Sequence, residues 1–246
     1  MLTLMLVSVS YVFYGWANPR WVLLILTSSA IDYFCGLALV KFSGLPMDGP
    51  DLPVLPKNEP RNRAQKIAFA VSMISNLSIL GFFKYFDFAA ANINAAAAAL
   101  GGNDRTIRLL HVALPIGISF YTFQSMSYAI DVYRGEARPL RRPVDFFCFV
   151  ALFPHQLAGP IIRYWSIAEQ FRHRTFTYEK FARGVAFFCF GLSKKVLLAN
   201  PMAHIADGAF ASGTLSPLDA WYGVVVYAFQ IYFDFSGYSD MAVAWR

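Results

Sequence analysis

Long apolar stretches alternate with short polar segments along almost the whole chain. An α-helix needs about 20 apolar residues to cross the hydrocarbon core of a bilayer. Stretches of this kind cover residues 21–42, 64–86, 109–133, 181–199 and 218–244, while residues 2–16 form a shorter one of marginal length. The pattern predicts an all-α fold, a polytopic transmembrane helical bundle, with a single domain over residues 1–246.

One apolar stretch, residues 149–163, is interrupted in a way that a plain membrane helix is not. The interruption consists of residues that break a helix or carry a polar group: Pro154, His155, Gln156, Gly159 and Pro160. Broken backbone at membrane depth is tolerated only where it is buried in protein or lines a watery cavity. The sequence therefore predicts a re-entrant segment near residues 144–162.

Two segments between the apolar stretches have a distinctive composition. Residues 44–60 have a proline at every third to fourth position on average, so we expect an extended linker there. Residues 90–100 are rich in alanine and are followed by Gly101 and Gly102. They predict a separate external or interfacial helix that ends at the glycines.

The composition agrees with a membrane protein. Hydrophobic residues make up 57% of the chain and charged residues 15%, against about 25% charged residues in an ordinary soluble domain. The net charge of +6 comes from short basic clusters between apolar stretches, an arrangement typical of topology signals rather than of nucleic-acid binding. We therefore expect membrane lipid, and no nucleic acid, as a partner. The spacing of cysteines and histidines matches no metal site, and we predict no bound metal.

The distribution of cations supports the re-entrant prediction. Cytoplasmic loops are enriched in Lys and Arg and should alternate with poorer loops if every stretch crosses the membrane. Two rich clusters instead follow one another around residues 144–162: Arg134, Arg138, Arg141 and Arg142, and then Arg163, Arg172, Arg174, Lys180 and Arg183. A segment that enters and leaves on the cytoplasmic side restores the alternation.

A few polar side chains inside apolar stretches are candidates for function. Asp32 is either a functional acid or a hydrogen-bonded structural carboxylate inside the bundle, and we favour the structural role. Asp234 and Asp240 either line a polar tunnel or tie helices together, and helical spacing places Asp240 on the same face as Ser236. His155 is a candidate general base, although a lone histidine is more often structural.

Six motifs, taken together, resemble one protein family. They are residues 10–14 (SYVFY), 81–85 (GFFKY), 114–124 (LPIGISFYTFQ), 128–134 (YAIDVYR), 153–155 (FPH) with 158–160 (AGP), and 232–242 (YFDFSGYSDMA). In this order they are similar to the membrane-bound O-acyltransferase family and, within it, to the bacterial alginate O-acetyltransferase branch.

The resemblance implies a multi-pass protein of the bacterial inner (cytoplasmic) membrane whose helices surround a narrow tunnel. Such a protein takes an acetyl group from a cytoplasmic donor, acetyl-CoA, without a permanently bound cofactor. It delivers the group across the membrane to periplasmic acetyltransferase partner proteins. These partners then modify hydroxyl groups of an exopolysaccharide such as alginate, so the polysaccharide acceptor is reached indirectly.

The resemblance also implies which residues matter. The family's catalytic histidine lies in a motif ending in Trp-His that has no counterpart before Arg246, and an apolar segment that usually precedes residue 10 is absent. We therefore expect a member truncated at both ends, inactive by itself, with the catalytic residue unknown here. The candidates for lining the tunnel are His155, Gln156, Gly159, Pro160, Arg163, Gln124, Asp234, Tyr238 and Asp240.

Two other functions stay open at this point. One is a family relative that acetylates peptidoglycan, or that D-alanylates teichoic acid. The other is a non-catalytic membrane scaffold or conduit, because transporters also use broken helices and charges at the middle of the membrane. The residues named above do not identify the acceptor.

Overall fold

The computed structural model describes residues 2–57, 59–100, 107–111, 113–156, 163–167, 177–213 and 216–244. These residues form helices joined by turns and extended segments, and no strand occurs among them, which confirms the all-α prediction. The chain divides into two compact units. Unit 1 holds the described residues up to 167, and unit 2 holds those from 177 onward. A single domain over residues 1–246 stays a prediction.

Unit 1 consists of five longer helices and two single-turn helices. They are α1 (Leu2–Ala17), α2 (Pro19–Lys41), α3 (Arg63–Ala99), α4 (Ile118–Arg134), α5 (Pro143–Ala151), α6 (Phe153–Gln156) and α7 (Tyr164–Ile167). The Asn18 side chain caps α2, where Pro19 occupies the first turn. Asn62 and Gln65 form a reciprocal capping box that starts α3. The apolar stretches predicted at residues 2–16 and 21–42 are thus confirmed as helices.

Two predicted helix boundaries in unit 1 are wrong. The alanine-rich residues 90–100 are not a separate helix but continue α3, which runs unbroken from Arg63 to Ala99. The reason is that residues 87–89 contain no helix breaker, and alanine has the highest helix propensity. Conversely, α4 begins only at Ile118, because Gly117 adopts a left-handed conformation with φ of 74° just before it.

Unit 2 contains α8 (Tyr178–Ser193), a π-helical segment (Lys194–Ala199), α9 (Asn200–Ala211) and α10 (Pro217–Val243). The prediction of a helix over residues 218–244 is confirmed. The helix predicted to end at residue 199 instead continues to Ala211. Pro201 lacks an N–H group and crowds the preceding turn. The π turn before it, in which the Asn200 N–H donates to the Lys195 carbonyl, provides a wider path for the backbone.

The helices of unit 2 pack through small residues. Its fully buried described residues are all glycine or alanine: Gly191, Ala199, Ala206, Gly223, Gly237 and Ala242. A Cβ atom placed on Gly191 would lie 2.5 Å from the Gly237 carbonyl oxygen and 2.8 Å from the Met241 nitrogen. The backbones of α8 and α10 therefore touch at this crossing, the mode of packing that membrane helices favour.

Two helices, Pro19–Lys41 and Arg63–Ala99, are long and apolar enough to cross a membrane. A shorter apolar helix, Thr3–Trp16, precedes them. Large hydrophobic side chains also face outward on the helices of unit 2, including Phe190, Trp221 and Tyr232. These features agree with a membrane protein, because soluble monomers rarely expose many large apolar side chains together.

The proline-rich residues 44–60 form no helix where they are described, which confirms the extended linker. The linker is nevertheless packed against unit 1, since Leu52 and Leu55 are buried. Arg61, just after it, donates from Nε to the Tyr133 carbonyl oxygen at 2.8 Å. Arg141 donates to backbone carbonyls within the linker. Arg61 and Arg141 therefore hold the linker in place.

A buried carboxylate joins α2, α3 and α4. Asp32 is fully buried and accepts hydrogen bonds from the Ser72 hydroxyl at 2.5 Å and from Asn76 Nδ2, which lies 2.8 Å from each carboxylate oxygen. The Ser125 hydroxyl of α4 also donates to this carboxylate. The favoured interpretation of Asp32 as a bonded carboxylate inside the bundle is confirmed.

We expect Asp32→Ala to lower the free energy of unfolding by about 3 kcal/mol, because it leaves the buried Ser72 and Ser125 hydroxyls without an acceptor and removes the hydrogen bonds of Asn76 to the carboxylate. Thermal unfolding in detergent measures the effect. Asp48→Ala, which removes an exposed carboxylate from the linker, serves as the control and should change little. Equal melting temperatures for the two variants would show that the Asp32 cluster does not hold the helices together.

We expect Gly191→Ala to destabilise unit 2 by about 1–3 kcal/mol, because the new methyl group has no space between α8 and α10. The control is Gly208→Ala in α9, where an added Cβ meets nothing within 4 Å. That substitution should stabilise the protein by up to about 1 kcal/mol through helix propensity. Thermal unfolding separates the two cases, and destabilisation by both or by neither would contradict the proposed helix crossing.

Candidate functional site

The interrupted stretch forms a helix break whose backbone groups are satisfied by side chains from other helices. After α5 ends, the Phe153 N–H donates to the Ser10 hydroxyl of α1 at 3.2 Å. The Phe149 carbonyl, in the last turn of α5, accepts from Gln124 Nε2 of α4 at 2.7 Å. Pro154 has no N–H group to satisfy. Because these backbone groups are hydrogen-bonded, the helix break is a stable part of the fold.

The described residues before and after positions 157–162 are both anchored on helices of unit 1. Ahead of residues 157–162, α6 packs on α1, α4 and α5. Beyond them, the Trp165 N–H of α7 donates to the buried Asp131 carboxylate of α4 at 3.0 Å. The Tyr164 hydroxyl donates to the Arg138 carbonyl at 2.6 Å. A chain that leaves α4 and returns to it fits a re-entrant segment, which stays a prediction because residues 157–162 lie outside the described part.

Gln156, at the end of α6, is the most unusual side chain of the stretch. It is fully buried, and neither its Oε1 nor its Nε2 has a hydrogen-bond partner. A buried polar group left unpaired costs about 1–3 kcal/mol. The buried hydroxyls of Tyr14 and Tyr121, by contrast, lie close to each other, and their rings meet edge to face with centroids 6.3 Å apart. Gln156 thus stands out at the helix break as a buried side chain with unsatisfied polar atoms.

The other predicted residues of this stretch have different positions. His155 belongs to the α6 backbone, but its side chain lies outside the described atoms, as do Gly159 and Pro160 altogether. Arg163 is exposed at the start of the returning segment. Gln124 is buried and directly contacts the stretch, so the structure brings Gln124 and the helix break together. A tunnel lined by these residues stays a prediction.

In unit 2, the predicted acids are paired with lysines. Lys194 donates to the Asp240 carboxylate at 2.6 Å and to the Ser236 hydroxyl at 3.0 Å. The neighbouring Lys195 pairs with Asp234. The shared face of Ser236 and Asp240 is therefore confirmed. Of the two roles considered for the acids, the described contacts are those of helix ties between the π-helical segment and α10.

Tyr238 lies on α10 one turn beyond Asp234 and is partly buried. Its position on the Asp234 side of the helix agrees with the helical spacing used in the prediction. Within the described residues, no group of three or more His, Cys, Asp or Glu side chains is arranged to hold a metal ion.

Sequence reasoning missed three residues that shape these sites. Ser10 was part of a recognised motif, but nothing in the sequence indicated that it accepts from the backbone across the helix break. Lys194 and Lys195 lie near the end of the apolar stretch 181–199 and are not among the candidates named from the sequence. Their spacing from the acids gave no signal because the partners are some 40 positions apart in the chain, with gaps of 46 and 39 residues.

The chain is similar to several curated proteins over almost all of its length. It is 42% identical over 240 residues to a protein named probable alginate O-acetylase AlgI from Pseudomonas syringae pv. tomato, with 98% of this chain and 43% of the relative covered. The AlgI protein of Pseudomonas aeruginosa is 40% identical with the same coverage. A peptidoglycan O-acetyltransferase of Helicobacter pylori is 33% identical over 98% of this chain and 46% of the relative.

The chain spans less than half the length of these curated relatives. No protein-family model matches it, and no solved structure matches it either. Identities of this size over 240 residues confirm the resemblance that the six motifs indicated. The chain is a homologue of the AlgI-type alginate O-acetylases, and this homology supports the membrane-bound O-acyltransferase family that the six motifs indicated.

Proposed function

We propose that the chain is part of a membrane-bound O-acyltransferase that moves acetyl groups from cytoplasmic acetyl-CoA across the bacterial inner membrane. The acetyl groups serve the O-acetylation of an exopolysaccharide such as alginate, through periplasmic acetyltransferase partners. The observation that carries this proposal is the 38–42% identity, over 98% of the chain, to proteins named alginate O-acetylase.

The proposal includes a multi-pass topology. At about 1.5 Å per residue, the 23 residues of α2 and the 27 residues of α10 are each long enough for a bilayer about 30 Å thick. The outward-facing aromatic side chains of α10, such as Trp221 and Tyr232, suit a lipid environment. The small-residue packing in unit 2 is likewise typical of membrane helices.

One end of unit 1 is suited to the cytoplasm and to an anionic donor. Contacts bring together α2, the linker and the loop after α4: the Tyr33 hydroxyl donates to the Arg141 carbonyl at 2.6 Å, and the Arg141 guanidinium donates to the Met47 carbonyl at 3.3 Å. Arg134, Arg138 and Arg142 are exposed at this end. A basic surface attracts polyanions such as CoA and follows the positive-inside rule.

Two alternatives remain. A protein that acts on peptidoglycan is supported by the 33% identity to the Helicobacter pylori relative, which is lower than the identities to the alginate O-acetylases. An acyltransferase for D-alanine on teichoic acid is the corresponding alternative for another cell-wall polymer. A non-catalytic scaffold or conduit is the alternative from a different functional class.

We expect the full-length protein to which this chain belongs to restore ester-linked acetate on alginate in a strain that makes alginate but lacks its own AlgI-type protein, and residues 1–246 alone to restore none. Alkaline release of acetate and NMR of the purified polymer measure the result. The Gly208→Ala variant should restore acetylation fully, since its substitution lies in open space. Unacetylated alginate despite accumulation of the protein in the membrane would rule out the alginate role. Acetate on peptidoglycan, or D-alanine on teichoic acid, would then identify the acceptor, and no ester on any polymer would favour the scaffold.

We expect single cysteines introduced at Arg138 and Arg172 to react with a membrane-impermeant maleimide from the same, cytoplasmic, side. The reason is that a re-entrant segment between them enters and leaves on one face of the membrane. The background carries replacements of the native Cys35, Cys148 and Cys189. Comparison of intact cells with inverted vesicles gives the side. Labelling of the two positions from opposite sides would show that residues 144–162 cross the membrane.

A further inference from the structure

The buried amide of Gln156 differs from the other buried glutamines of unit 1. Gln65 is buried, and both ends of its amide are used: Nε2 donates to the Leu39 carbonyl at 2.8 Å, and Oε1 accepts from the Asn62 N–H at 3.1 Å. Gln124 donates to the Phe149 carbonyl. Gln156 is at least as deeply buried as either, yet both of its polar atoms are unpaired. The large majority of buried polar groups have a protein or water partner, so this exception needs an explanation.

Other polar groups at the helix break are paired within the protein. α6 packs against α1, α4 and α5. Ser10 of α1 accepts from the Phe153 N–H, and Gln124 of α4 donates to the Phe149 carbonyl. The amide of Gln156 has no such partner, which indicates that its partner is a polar guest.

The chemistry of the Gln156 amide defines the guest. A carboxamide is neutral, and it offers both donors and an acceptor. An ion would find no countercharge on it, and burying an unpaired charge is very unfavourable. A carbonyl group in an apolar carrier fits, because its oxygen accepts a hydrogen bond and its substituent tolerates an apolar wall.

We propose that the Gln156 amide binds the acyl group of the donor, with Nε2–H donating to the acyl carbonyl oxygen. This inference rests on the proposed acyl transfer and adds to it a residue that recognises the acetyl group itself, apart from the CoA carrier. Gln156 is thereby a substrate-binding residue.

The test compares acetyl-CoA with CoA as ligands of the purified protein in detergent, using thermal stability as the readout. CoA is the matched probe because it lacks only the acetyl group. We expect acetyl-CoA to stabilise the protein more than CoA does. Gln156→Met keeps the length of the side chain and removes the amide. It should weaken acetyl-CoA binding about tenfold and abolish the preference over CoA, as expected for loss of one well-placed hydrogen bond.

Gln65→Met is the control, because it removes a buried amide whose partners are within the protein. It should lower the melting temperature and keep the preference for acetyl-CoA. Without ligand, Gln156→Met should melt no lower than the unaltered protein, since no internal hydrogen bond is lost. Gln156→Leu repeats the test with a branched side chain. A loss of stability like that of Gln65→Met would show that Gln156 has a structural partner, and would overturn the inference.

The remaining outcomes separate the inference from the proposed function. If acetyl-CoA and CoA stabilise the unaltered protein equally, or if Gln156→Met keeps the preference, Gln156 does not bind the acyl group and acetyl-CoA still stands as the donor. If neither ligand changes the melting temperature, acetyl-CoA is not the donor, and both the inference and that part of the proposed function are wrong.

Discussion

The Asp32 carboxylate is the interaction on which the rest of unit 1 depends. A carboxylate in a dry interior is tolerated only when hydrogen bonds replace the water that it has lost. Asp32 obtains these from Ser72 and Asn76 of α3 and from Ser125 of α4, so three helices must meet at fixed positions. The position of α4 then decides where Gln124 lies. Because Gln124 holds the last turn of α5, the buried acid and the helix break are parts of one polar framework.

Much of the fold could be predicted from the hydrophobic pattern, and the errors have local causes. The pattern correctly gave α1, α2 and α10, each marked by a long apolar run and, for the last two, by a proline in the first turn. It failed at helix ends where apolarity and helix formation differ. Residues 90–99 were assigned to a separate helix, although nothing breaks α3 before them. The continuation through Pro201 was missed because a π turn is invisible in sequence periodicity.

The candidate site was predictable by residue type but not by partner. Prolines and polar residues in an apolar run correctly indicated a helix break. The structure places Gln124, one of the tunnel candidates, in contact with it. Ser10 was not a candidate, since its role depends on a contact over 143 positions of sequence. The pairing of Lys194 and Lys195 with Asp240 and Asp234 was likewise missed. Such partners are set by tertiary packing, which places side chains together without leaving a periodic signal in the chain.

The two units achieve close packing by different physical means. Unit 1 buries large side chains such as Tyr128 and Phe146 and surrounds the buried Asp32 carboxylate with side-chain donors. Unit 2 brings glycine and alanine surfaces together and turns its large apolar side chains outward. In lipid, helices gain little from hiding apolar side chains, so close backbone contact and internal ion pairs must supply the association energy. The buried polar side chains of unit 1 therefore need a specific explanation. The best-matched groups, around Asp32, fix the scaffold, whereas the unmatched amide of Gln156 lies in the segment that this scaffold positions. A binding site requires a rigid scaffold and a polar group that is available to the ligand, and unit 1 has both.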